Sequence, residues 1–168
     1  MLGMHREMLR YMVRHHARAN ERILETTALI SDDDYRRPAP LDYGSAHETL
    51  LHMLVVDWGW RESLMGNDDD DSYPEAWPFP DLPTITAFWR DEHTRLLEYV
   101  DSTPDDSLAA VMSWDSEDGL HFDAPHWAIV LHIVNHGNQH RSELARYLTE
   151  LGHSPGELDD LDVLVEGV

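Results

Sequence analysis

From His132 to Leu151 the chain returns to one helix face at every turn, through His132, His136, His140, Leu144, Leu148 and Leu151. Side chains three or four positions apart lie above one another on an α-helix. The leucine half of this stripe reads as core, so the histidine half that shares it is expected to face inward too. Buried imidazoles need polar partners. A metal ion held between helices meets that need, and His136 and His140 stand at the HxxxH spacing that turns two rings to one side. His52, inside the apolar run HETLLHMLVVDWGW, offers a third ring from a second helix. Histidines at this spacing also occur on surfaces and as hydrogen-bonded core residues, and the spacing alone does not choose among these.

Four long segments carry apolar residues at helical spacing. The first covers about residues 3–30, with Met8, Met12, Ala19, Ile23 and Leu24 near one face, and SDDDYRRPAP ends it because Pro38 and Pro40 exclude a continued helix. The second starts near Ser45, where SAHE has capping-box spacing with Glu48 as the replying side chain, and ends near Gly66. The proline-bearing run NDDDDSYPEAWPFPDLP is then a long connection, with Tyr73, Trp77 and Phe79 as its anchors on the bundle. The third helix runs from near Thr84 to Val100. A turn or brief helix follows from Pro104 to about Met112, and SWDSEDGLHFDAP reads as irregular with room for a short extended piece. Asp123 is the expected cap of the last helix, Pro125 suits its first turn, and Gly152 is its expected C′ residue after Leu151. With no strand ladder legible, the chain is predicted to be one all-α domain over residues 1–168. It is a four-helix bundle with long connections, and residues 152–168 form an acidic C-terminal tail.

A hydrophobic fraction of 42% over 168 residues suffices for one such core. No stretch approaches the roughly twenty apolar residues of a membrane span, and MLGMHREMLRYMVRHH lacks the pattern of a signal peptide. Zero cysteines exclude disulfides and thiolate metal ligands and make a cytoplasmic location the default expectation. With 12 basic against 33 acidic residues, the formal charge of −21 opposes nucleic acids and anionic membranes as partners. The Asp68–Asp71 run lacks the alternating ligands of a calcium loop and reads as solvated.

Glu48, Asp57 and Glu143 lie near the three histidines in sequence. They are candidates for a general base or for orienting a ligand from behind, Glu48 foremost because it precedes His52 by one turn. His132 is a candidate fourth ligand, hydrogen-bond partner or pocket acid–base. Arg141 reads equally as a bidentate clamp on a substrate carboxylate and as a structural ion pair. Trp58, Trp127 and Tyr147 read as bundle core, with a pocket wall as the alternative. His47 suits a cap or a supporting bond, and His16 and His93 carry no particular ligand signal.

Three segments, YMVRHHARANERILETTALISDDDY, GSAHETLLHMLVVDWGWRESLMG and LHIVNHGNQHRSELARYLTELGHSP, resemble the DinB-like (DinB/YfiT-like) metalloenzyme family in its own order. That family is distinct from the DNA polymerase sharing the name. The resemblance implies an up-down-down-up four-helix bundle, often a homodimer, holding one divalent metal on His52, His136 and His140. Zinc is the expected ion, and imidazole ligands also suit nickel. Relatives more often read HRGQ where this chain reads HRSE, so Ser142 and Glu143 depart locally without removing a ligand. Similarity to some relatives implies transfer of a low-molecular-weight thiol, such as bacillithiol or mycothiol, to an electrophilic small molecule through a metal-bound thiolate. Similarity to others implies metal-dependent hydrolysis. A non-catalytic, metal-stabilised stress or binding protein is the remaining alternative.

Overall fold

The computed structural model describes residues 2–67, 79–116 and 118–159, with side chains from Arg6 onward. Tyr73, Trp77, the Asp68–Asp71 run and the end of the acidic tail lie outside the described residues. Four long helices dominate: α1 (Leu2–Thr27), α3 (Ala46–Leu64), α4 (Leu82–Ser102) and α6 (His126–Glu150). Two short helices, α2 (Asp32–Arg36) and α5 (Asp105–Leu108), sit in the connections.

Side-chain pairings fix the directions. Arg6 near the start of α1 bonds Asp101 and Thr103 at the end of α4, while Asn20 meets His93, so α1 and α4 are antiparallel. His52 meets His136 and Trp60 meets His132, so α3 and α6 are antiparallel as well. Asp57 pairs with Trp89 and Arg61 with Glu92, so α3 and α4 run in parallel. The chain order is therefore up, down, down, up. A parallel α3–α4 pair needs a return connection along the bundle, which is why the loop between them is long.

The helix ends follow local chemistry. Ser45 Oγ accepts the Glu48 backbone N–H at 3.1 Å, as expected of an N-cap. The reciprocal half of the box is not made, because the Glu48 carboxylate faces His47 Nδ1 at 3.2 Å. Ser45→Ala should lower the unfolding free energy by about 1 kcal/mol, read as a shifted urea midpoint with an unchanged slope. At the end of α6, Gly152 (φ 90°) follows the cap residue Leu151, and the N–H groups of His153 and Gly152 return to Leu148 and Thr149. This is a Schellman closure on the expected glycine.

Three local expectations change. The α4 helix starts at Leu82 rather than Thr84, capped by Asp81, whose Oδ1 accepts from Thr84 N at 3.0 Å. The irregular segment before α6 is an antiparallel hairpin, β1 (Val111–Asp115) with β2 (His121–Pro125), in the register Met112↔Ala124 and Trp114↔Phe122. Its strands are five residues each and poor in β-branched residues, so their propensity is weak. Packing of Met112, Trp114 and Ala124 on the helices holds them in place. Because β2 runs directly into α6, Asp123 is a strand residue that accepts from Ser113 Oγ, and it does not cap the helix.

The core is divided. One apolar cluster gathers Ile23, Leu50, Leu54, Ile85, Trp89 and Leu144, with Phe79 anchored against it and against Phe88. A second gathers Leu9, Val13, Leu96, Val100, Ile129 and Ile133. Between them lies a buried polar layer of His16, Asn20, Asp57, Arg61, Glu92, His93 and Arg141. Arg61 and Glu92, 2% and 1% exposed, close one side of this layer as a bidentate pair. Among the described residues no helix is long and apolar enough to cross a membrane.

Candidate metal centre

The antiparallel α3–α6 contact brings His52 against the HxxxH pair. His52 Nε2 lies 2.9 Å from His136 Nε2. Each of His52, His136 and His140 offers a ring nitrogen within 4.8 Å of the others. His140 is buried, and His52 and His136 are half-buried at the rim. Burial, reinforced by the neighbouring His140, pushes the His52 pKa down to about 4, and the same two causes bring His136 to about 4. Both rings are therefore neutral at neutral pH, the form that donates a lone pair to a metal.

The supporting contacts come from α6 and from the loop before α3. Glu143 Oε1 stands 3.4 Å from His140 Nδ1, and its Oε2 accepts the Asp42 backbone N–H at 3.2 Å. A carboxylate behind the far nitrogen of an imidazole is the usual device for holding a metal-ligating ring in position. Tyr43 stacks on His52 with centroids 3.6 Å apart and meets the His140 ring edge at 5.4 Å. Nothing in the helical periodicity pointed to Asp42 or Tyr43, because both lie in a loop.

The other candidates are placed elsewhere. Glu48 is exposed beside His47, whose Nε2 donates to the Phe79 carbonyl at 3.0 Å. His132 is exposed, 6.0 Å from the His136 ring, and outside the trio. The reason is geometric. Four residues advance a helix by about 40° beyond a full turn, so a stripe that is core at Leu144 has rotated to the surface by His132. Trp58 and Tyr147 are buried and Trp127 is 42% exposed.

Arg141 is 1% exposed and turns away from the trio into the polar layer. Its Nη1 donates to Asn20 Oδ1 at 2.8 Å and to His16 Nδ1 at 3.0 Å. A guanidinium only donates, so His16 Nδ1 must accept and its proton sits on Nε2. That Nε2–H donates to Asp57 Oδ2 at 2.7 Å, where Trp89 Nε1–H also donates at 2.8 Å. Asn20 Nδ2 donates to His93 Nε2 at 2.9 Å. Burial pushes the Asp57 carboxyl up, and His16 and Trp89 more than reverse it, leaving it below the usual range. Burial lowers Arg141 to about 10, so it stays charged at neutral pH. The buried Arg141 guanidinium and the buried Asp57 carboxylate are thus linked through the His16 ring.

Gly137 makes this possible. A Cβ there would lie 2.5 Å from His16 Cε1 and 2.8 Å from its Nδ1, so only glycine lets α1 bring His16 beneath α6.

His16, Asp57 and His93 also have donor atoms within metal-binding reach of one another. They suit an ion less well than the trio. Binding would strip the His16 Nε2 proton and add two positive charges beside buried Arg141 against a single carboxylate. The exposed-edge trio carries no such conflict.

The layer predicts an acid response. Burial holds His93 at about 3, whereas a free histidine titrates near 6.5. Between those values the unfolded chain binds a proton that the folded one refuses. Its contribution is complete above about pH 6.5 and is lost as pH falls to about 3, with a slope of up to about 1.4 kcal/mol per pH unit. His93→Gln keeps an acceptor for Asn20 and should flatten the dependence of the urea midpoint on pH across that window. Parallel curves for the two proteins would contradict the assignment.

A comparison with curated proteins gives no match. The DinB family model, in contrast, matches residues 4–165. That span takes in all four long helices, the HxxxH pair and the partnering histidine of α3, and the chain accordingly belongs to the DinB family.

Proposed function

We propose that the chain binds one divalent metal ion on His52, His136 and His140, zinc in preference to nickel, and transfers a low-molecular-weight thiol to an electrophilic small molecule. The observation that carries this is the convergence of three imidazoles from two helices at a half-exposed rim, two of them held neutral by burial. Three imidazole donors leave a coordination position for a reacting ligand. A divalent ion there supplies Lewis acidity, which favours loss of the proton from a bound thiol.

Transfer asks less of the protein residues than hydrolysis does. Glu48 points to His47, both oxygens of Glu143 face His140 and the Asp42 N–H, and Asp57 Oδ2 is taken by His16 and Trp89. The Asp42 carboxylate, exposed and within 4.8 Å of the His140 and Glu143 donor atoms, is the group that would act as general base if the reaction is hydrolysis. A thiol needs no strong base once its pKa is lowered. Tyr43 covers one side of the trio and shields the His52 ring from solvent. Action as a homodimer in the cytoplasm is part of the same proposal.

The test is zinc-loaded protein with a panel of small thiols and aryl or epoxide electrophiles, read by mass as thioether product. Saturable, zinc-dependent product that disappears in His140→Ala is the expected result. Ester or amide cleavage without thiol consumption would favour the hydrolase, and neither reaction from protein holding one zinc per chain would favour a binding role.

A further inference from the structure

The loop that lays Tyr43 on the trio also brings a carboxylate to His140. Donor atoms of Asp42, His140 and Glu143 lie within 4.8 Å of one another. Glu143 ties the cluster together. Its Oε2 accepts the Asp42 backbone N–H at 3.2 Å, which holds the loop beside α6. Its Oε1 stands 3.4 Å from His140 Nδ1. Asp42 is exposed, Glu143 is half-buried and His140 is only 3% exposed. Although His140 Nδ1 is buried, it makes no hydrogen bond among the described residues. The Glu143 oxygen faces it from beyond the usual N–H···O range of about 2.7–3.2 Å. That separation is the one expected of two donors on a single ion. Ligand atoms about 2.1 Å from a tetrahedral ion stand about 3.4 Å apart. Two carboxylates and a neutral imidazole also match the charge of a divalent cation. Arg146, which reaches the same loop, is occupied by Glu150 and the Pro40 carbonyl.

We propose that Asp42, His140 and Glu143 form a second divalent-metal site, suited to zinc, which competes with the trio for the His140 ring. The site stands without the trio reading; only the competition rests on it. A neutral imidazole has one lone pair. An ion on the trio takes that pair at one nitrogen and leaves the proton on Nδ1, toward Glu143. An ion on the carboxylates takes the pair at Nδ1, and the proton sits on Nε2. His140 therefore serves one ion at a time, and each site weakens the other by the same factor. The carboxylate site is the weaker for zinc, because exposed Asp42 gives up side-chain freedom when it binds.

Zinc calorimetry on the His52→Ala/His136→Ala chain tests the site, because that variant keeps Asp42, His140 and Glu143. It should bind about one zinc per chain, more weakly than the wild type. Adding Asp42→Asn should weaken that binding by at least about tenfold, since even removing a group behind a ligand costs about tenfold to hundredfold. Asp115→Asn removes the same charge from the exposed face of the hairpin and should change the affinity by less than about twofold. His52→Gln/His136→Gln takes the place of the alanine pair if that pair does not fold. In the wild type, zinc should saturate at about one ion per chain, with Asp42→Asn changing its affinity by less than about twofold. No zinc on the folded double variant, or binding there that Asp42→Asn leaves unchanged, would overturn the carboxylate site while leaving the trio standing. Saturation of the wild type at about two ions, one of them lost with Asp42→Asn, would overturn the competition. If the trio reading is the one in error, the wild type and the double variant bind zinc alike, and both lose it with Asp42→Asn.

Discussion

Arg141→Met should lower the unfolding free energy by about 2–6 kcal/mol, because it leaves two buried acceptors without their donor, at about 1–3 kcal/mol each. The substitution keeps most of the side-chain volume, so the loss reports charge and hydrogen bonds rather than a cavity. It strips Asn20 Oδ1 and His16 Nδ1 of their donor and leaves Asp57 as an uncompensated buried anion. Natural domains hold only about 5–15 kcal/mol in total, so the variant will be marginal. The double variant Asp57→Asn/Arg141→Met removes both charges and should recover at least about 1 kcal/mol relative to Arg141→Met alone. Gly137→Ala should destabilise in the same direction, because its Cβ would fall inside the His16 ring contact at 2.5 Å. Urea unfolding of the four proteins decides the matter. A loss below about 1 kcal/mol for Arg141→Met, in the range of an ordinary surface change, would show that the layer does not hold the helices together.

Zinc should raise the melting temperature by about 8–16 °C when free zinc is a thousandfold above its dissociation constant. Binding to the folded state alone is then worth about 4 kcal/mol, and for a chain of this size each kcal/mol moves the midpoint by about 2–4 °C. The trio joins α3 to α6, so an ion bound there would tie together two helices that separate on unfolding. His136→Ala and His140→Ala should each abolish most of the shift. Glu143→Gln should leave a shift reduced in line with a roughly tenfold to hundredfold loss of affinity, the usual effect of removing the group behind a ligand. Protein prepared without a nickel column avoids a preloaded site. Scanning calorimetry with zinc, and again with nickel, reads the result. An equal zinc response in wild type and both histidine variants would place the ion elsewhere. That outcome would remove the basis for thiol transfer, whereas Arg141→Met tests the core alone.

Both predictions draw on α6, and the helix shows how unevenly its residues could be read in advance. The shared face of His136 and His140 was legible because helical spacing is a local, periodic property, whereas His52 reaches them only through the packing of α3 on α6. The same periodicity misled at His132, where the stripe's rotation carries the residue out of the core. At Arg141 the sequence left a substrate clamp and a structural role equally open. Arg141 follows a ring of the trio in sequence, yet the next residue on a helix points about 100° away, and here that direction is the bundle interior.

Spacing, proline positions and caps in the chain by itself determined four long helices, their main breaks, the Ser45 and Gly152 ends and the common face of His136 and His140. These are short-range properties, set by backbone sterics and by which side chains share a helix face. The tertiary structure alone decided which helices are neighbours. With that came the pairing of His16 and His93 with Asp57 across three helices, the passage of His16 beneath Gly137, and the hairpin that sets Trp114 beside Trp60. Those partners are separated by tens of residues, and a buried charge finds its partner only when packing brings distant segments together. No local pattern encodes that choice, because its free energy exists only in the assembled core.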